Sequence, residues 1–247
     1  MDPQLVFVHG IRTSATMWRA QVVHLQERGI AAEAVDLPGH GSRMGEPWSV
    51  DEALATIDRA VLRAAERGPV VLATHSMGAL LSAAYLGRTG DAPPVRAFVA
   101  AGATSFPLGA GVAAYRALLT GMRRLPGNGM WFVRRALAAQ LPPETRRDFG
   151  AGGYALAAED EALASLASLA IPRALARLQK RDIPVWFVNG EWDQLRLNER
   201  AFMRLVPGAE LIVVPRTTHL ITAMRPRVMS AVIDVAIAEA VRSAATW

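Results

Sequence analysis

No cysteine occurs among the 247 residues. Its absence removes a disulfide framework, a thiolate nucleophile and a thiolate metal site. No apolar run reaches ~18 residues, so no membrane span is expected. The opening MDPQLVFVHG has neither the basic segment nor the cleavage pattern of a secretory signal, which makes the cytoplasm the expected location. There is no internal repeat and no disordered linker. Metal-ligand spacings are missing too, and neither a metal nor an organic cofactor is expected. Lysine is nearly absent: Lys180 stands alone, and the excess of 27 basic over 22 acidic residues rests on arginine. The arginines form doublets, Arg123-Arg124, Arg134-Arg135 and Arg146-Arg147, rather than long basic runs. They read as solvated helix faces, and no nucleic-acid partner is expected.

What is present suits a globular enzyme-sized domain. With 51% hydrophobic residues, the chain can bury the core of one large α/β domain or of a core with one insertion. Six short apolar runs lie between longer helical stretches: Leu5 to Val8, Ala32 to Val35, Val70 to Ala73, Ala97 to Ala100, Val185 to Val188 and Leu211 to Val214. Nearly continuous apolar runs of this length read as strands covered on both faces. Helical spacing is found from Ala15 to Arg28, from about Ser49 to Arg67, from Met77 to Leu86, from Asn198 to Leu205 and from Pro226 to Val241. The alternation predicts a parallel sheet of about six strands with helices on both faces. Between Ala103 and Asp182 no strand is evident, only helical patterns broken by proline and glycine. The predicted organisation is a core made of residues 1–102 and 183–247, with residues 103–182 inserted as a helical lid after the fourth strand.

The segment Val71-Leu72-Ala73-Thr74-His75-Ser76-Met77-Gly78 is a strand, a tight turn with a serine, and a helix start. Such a turn lifts a hydroxyl above the sheet edge and aims a helix N-terminus at an oxygen that becomes negative. Residues two before and two after the serine have to be small. Gly78 meets that need, and Thr74 stands where glycine is usual. A nucleophilic serine needs a base, and the base an orienting acid. Asp193 follows the fifth apolar run and His219 the sixth, so both fall on loops at the same sheet edge as Ser76. His9 and Asp36 are read as loop-shaping residues, and His75 as directed elsewhere by the strand's period of two. The expected oxyanion donors are the backbone N–H groups of Met77 and Ile11.

These pieces together resemble the α/β-hydrolase fold superfamily. The matching segments are Phe7-Val8-His9-Gly10, Asp36-Leu37-Pro38-Gly39-His40-Gly41, Thr74-His75-Ser76-Met77-Gly78, Gly190-Glu191-Trp192-Asp193 and Thr218-His219-Leu220 followed by Arg225-Pro226. The resemblance implies Ser76 as nucleophile, His219 as base and Asp193 as acid. Lacking a hairpin before the first strand, the chain is similar to the methylesterase and hydroxynitrile lyase branch. Leu220 stands where the lyases of that branch carry lysine, which counts against cyanohydrin cleavage. The function expected is a carboxylesterase-like serine hydrolase acting on a small, largely apolar ester through an acyl-enzyme. Alternatives are a thioesterase, lactonase, C–C bond hydrolase, acyltransferase or cofactor-free lyase on the same residues, or a non-catalytic ligand receptor on this fold. Phe106 and Trp131 of the insertion are candidate substrate contacts, and the partner is a small molecule met by a monomer or homodimer.

Overall fold

All six apolar runs become strands. A computed structural model describes residues 2–244. It gives, in chain order, β1 (Gln4–Val8), α1 (Arg19–Gln26), β2 (Ala31–Val35), α2 (Val50–Ala65), β3 (Val70–His75), α3 (Met77–Leu86) and β4 (Val95–Ala101). The insertion follows as α4 (Ala110–Arg123), α5 (Met130–Gln140), α6 (Pro143–Phe149), α7 (Glu159–Leu166) and α8 (Ile171–Leu178). The chain then returns to the sheet with β5 (Val185–Gly190), α9 (Glu199–Leu205), β6 (Glu210–Val214), α10 (Ile221–Met224) and α11 (Pro226–Ala244). Residues 15–18, predicted as part of the first helix, form a separate 3-10 turn ahead of α1.

The strands are parallel throughout, in the order β2-β1-β3-β4-β5-β6. The chain runs outward from β1 to β2 and then crosses back to β3 on the other side. The C-terminal ends of β1 and β3 therefore flank the point where the winding reverses, and loops leaving them diverge to open a crevice. The strands' period of two sorts the core into two layers. Val6, Leu72, Phe98 and Phe187 face α2, α3 and α8. Leu5, Phe7, Val71, Val99 and Trp186 face α1 and α11. Helix α2 buries Ala53, Ile57, Ala60, Val61 and Ala64 along one stripe, and the Ser49 side chain caps it by accepting the Glu52 N–H.

The last helix of the insertion belongs to this packing. Ile171, Ala174, Leu175 and Leu178 of α8 are buried, and the helix lies against α3. It is a core helix rather than a cover. Of the helices before it, α6 packs against α1 and α10 and α7 against α2 and α3, with Phe149, Ala162, Leu163 and Leu166 buried.

Candidate active site

The elbow after β3 is strained in the way its position requires. Ser76 has φ 51° and ψ −117°, in the left-handed half of the map that a non-glycine residue rarely occupies. The Ser76 N–H donates to the Ala101 carbonyl of β4 at 2.8 Å, which ties the turn to the sheet. A Cβ on Gly78 would lie 2.4 Å from the His9 carbonyl oxygen, so β1 and α3 pass too closely for any side chain there. Thr74 is accommodated by donating its hydroxyl to the Val99 carbonyl at 2.9 Å.

Three side chains from distant loops converge. His219 Nε2 lies 2.9 Å from Ser76 Oγ, and His219 Nδ1 lies 2.9 Å from Asp193 Oδ2. Asp193 is buried, and its Oδ1 accepts the Leu195 N–H at 2.7 Å. Burial works to raise the Asp193 carboxyl, but the His219 hydrogen bond and charge outweigh it, with the Leu195 N–H adding to them, and the group stays below its usual range. Glu191, two residues before Asp193, accepts the Arg216 N–H and takes no part in the contact with His219.

The loop after β1 is held by its own side chains. His9 Nε2 accepts the Leu37 N–H at 3.1 Å, so the ring proton sits on Nδ1, which donates to the Gly10 carbonyl at 2.8 Å. The Thr13 hydroxyl donates to the same carbonyl at 2.8 Å. That carbonyl and the Ile11 N–H belong to one trans peptide and point in opposite directions. Anchoring the oxygen twice leaves the Ile11 N–H on the other side, available to an incoming oxygen. Met77 is the first residue of α3, where an N–H has no partner inside the helix. Neither of these two N–H groups donates to another described residue.

His75 has a place that its sequence position does not suggest. As the last residue of β3 it lies on the same face as Val71 and Ala73, and its ring meets the His219 ring, 4.9 Å away between centroids. His75 Nε2 lies 2.9 Å from the His219 carbonyl oxygen, so it carries the proton and donates it. Burial, and then the nearby His219, push the His75 ring down to about 3, so it stays neutral at ordinary pH. A Cβ on Gly10 would sit 2.7 Å from His75 Nδ1, which explains a second glycine at this junction.

A model of the alpha/beta hydrolase family matches residues 5–232. The chain belongs to this family. Its fold is similar to that of E-2-(acetamidomethylene)succinate hydrolase, with 23% identity, a TM-score of 0.73, and 96% of this chain and 92% of that one covered. A thermophilic esterase from Thermogutta terrifontis is similar at 20% identity and a TM-score of 0.72, covering 97% of this chain and 90% of the other. A thioesterase domain from the curacin biosynthetic pathway matches at 19% identity and a TM-score of 0.70, covering 94% and 91%. No curated protein matches by sequence.

In this alpha/beta hydrolase residues of the insertion line two apolar cavities beside Ser76. Phe106 lines one of them and stacks on Phe202, with ring centroids 5.0 Å apart. Trp131 does not reach either cavity. It is 61% exposed and meets Phe132 edge-on at the surface, so the structure does not bring it beside Ser76 as it does Phe106. The first turn of α5, where it lies, presents its aromatic residues outward.

Arg12 and Glu159 have roles invisible in the sequence. Glu159 at the start of α7 is fully buried, and Arg12 grips it with two hydrogen bonds, Nε to Oε1 at 2.5 Å and an Nη to Oε2 at 2.7 Å. Arg12 directly follows Ile11 and has φ 60°. Nothing in a single sequence signals a pair 147 residues apart. Among the described residues no group of three His, Asp or Glu side chains could hold a metal ion.

Proposed function

We propose that the protein is a serine hydrolase that cleaves a small, largely apolar carboxylic ester through an acyl-enzyme. The observation that carries this reading is the chain of two 2.9 Å contacts from Ser76 Oγ through His219 to Asp193, set on a strained elbow. In the proposed reaction His219 Nε2 takes the Ser76 proton as Oγ attacks the substrate carbonyl. The carbonyl oxygen becomes an oxyanion held by the Ile11 and Met77 N–H groups. His219 hands its proton to the departing alcohol oxygen and the acyl-enzyme remains. Water then attacks with His219 as base, and the acid leaves as Ser76 regains its proton. Asp193 holds the imidazole in the tautomer with Nδ1–H and balances its positive charge in between. His75, through the His219 carbonyl, is a positioning residue for that loop.

The test is hydrolysis of p-nitrophenyl acetate and butyrate by the wild type and by Ser76→Ala. The expected result is turnover by the wild type and a loss of at least about 10³-fold in kcat for the variant. Equal rates for the two proteins sink the proposal.

A further inference from the structure

Ser76 stands on the boundary between two cavities of unequal size. The smaller, about 60 Å³, lies against α3 and is lined by Leu80, Phe106, Leu163, Leu166 and Leu195. The larger, about 190 Å³, is lined by His219, Leu220, Val133, Leu137, Phe149 and Tyr154. Ile11, Ser76 and Tyr115 border both, so a carbonyl carbon bonded to Ser76 Oγ has one substituent directed to each side.

Proton bookkeeping decides which substituent goes where. The bond that breaks is the one between the carbonyl carbon and the alcohol oxygen, and that oxygen takes its proton from His219 Nε2. His219 lines only the larger cavity, and Met77, one of the proposed oxyanion donors, lines only the smaller. The leaving alcohol therefore occupies the larger space and the acyl tail the smaller. The acyl side is therefore the narrower of the two, and it suits a short acyl chain better than an aromatic one.

Charge narrows the class further. Among the described residues Arg12 is the one permanently charged group lining the larger cavity, and its guanidinium is already committed to the buried Glu159 carboxylate. Among those residues no unpaired cation is left there to draw an acidic leaving group. We infer that the substrate class is an ester of a short-chain acid with a bulkier, neutral, apolar alcohol, selected by Leu163 and Leu166 on the acyl side. This rests on the serine hydrolase reading proposed above.

A pair of isomeric esters tests it. Benzyl propionate and ethyl phenylacetate share one formula and two alkoxide leaving groups of similar reactivity, and differ in which side of the ester carries the ring. The expected kcat/KM is at least tenfold higher for benzyl propionate. Leu163→Ala and Leu166→Ala are each expected to narrow that ratio severalfold by opening the acyl side, without raising benzyl propionate turnover. Equal rates for the isomers, a preference for ethyl phenylacetate, or a ratio unmoved by both variants overturns the assignment. Labelling of Ser76 by a small fluorophosphonate is measured alongside. Labelling with no turnover of either ester refutes the substrate class alone, whereas absence of both labelling and turnover refutes the serine hydrolase reading and the inference with it.

Discussion

Gly78 shows how little freedom the site leaves to single positions. A methyl group there would meet the His9 carbonyl oxygen at 2.4 Å and Val8 Cγ1 at 2.8 Å, so β1 or α3 has to shift. Gly78→Ala is expected to cost about 1–3 kcal/mol, the usual penalty of overpacking. Turnover should fall with it, because the shifted loop carries Ile11. Gly121 of α4 provides the control: a Cβ added there would meet no atom within 4 Å, and Gly121→Ala should be neutral or stabilising by up to about 1 kcal/mol. Urea unfolding of both variants checks the contrast, and equal losses would show that proximity to His9 is not the cause. Residues of this kind are legible in the sequence because their constraints are local. The small residue after Ser76, the acid after β5 and the histidine after β6 each follow from a strand end. His75 escapes such a reading because alternation gives only its face: it shares the side of β3 with Val71 and Ala73, and that the His219 loop packs on that side is set by contacts 144 residues apart.

The secondary structure of the sheet is readable because continuous apolar runs have few other uses at that length. The insertion is harder. Its helices can be recognised, but which of them packs on the sheet depends on contacts at long separation. α8 turns its apolar stripe onto α3, while α7 is held over the site by the pairing of Glu159 with Arg12. That pair is a buried carboxylate gripped by an arginine whose side chain is 13% exposed. Glu159→Gln leaves the guanidinium without its counter-charge, and the expected loss is about 2–3 kcal/mol, below the upper range for fully buried pairs. Replacing both residues with apolar ones, Arg12→Met together with Glu159→Leu, should recover most of that loss, because no buried charge is left unpaired. Urea unfolding curves of the single and double variants measure the difference. A double variant no more stable than the single one would mean that the pair contributes through its geometry rather than through charge compensation.

Taken as one body, the molecule buries several imidazoles near its crevice, and this couples stability to pH in a window separate from that of its carboxylates. His9 and His75 are both pushed down to about 3, burial being the main cause, and His40 is lowered for the same reason. In the unfolded chain these rings titrate near 6.5. Below that pH the unfolded state takes up protons that the folded state refuses, so stability falls as pH falls from about 6.5 toward 3. Each ring contributes a slope of up to about 1.4 kcal/mol per pH unit, and His9 with His75 should together remove roughly 2 kcal/mol between about pH 6 and pH 5. Asp36 and Asp193 act later. Their carboxyls lie below the usual value of 3.8, so the stability they supply is intact at about pH 5 and is lost only as pH drops through the carboxylate range. Unfolding free energies at pH 7.5, 6.0 and 5.0 separate the two groups, since over that interval the unfolded chain takes up protons at His9, His40 and His75 while Asp36 and Asp193 stay ionised. A stability that holds constant from pH 7.5 to pH 5.0 would mean that the buried rings accept protons in the folded state, which the Leu37 N–H donating to His9 Nε2 excludes.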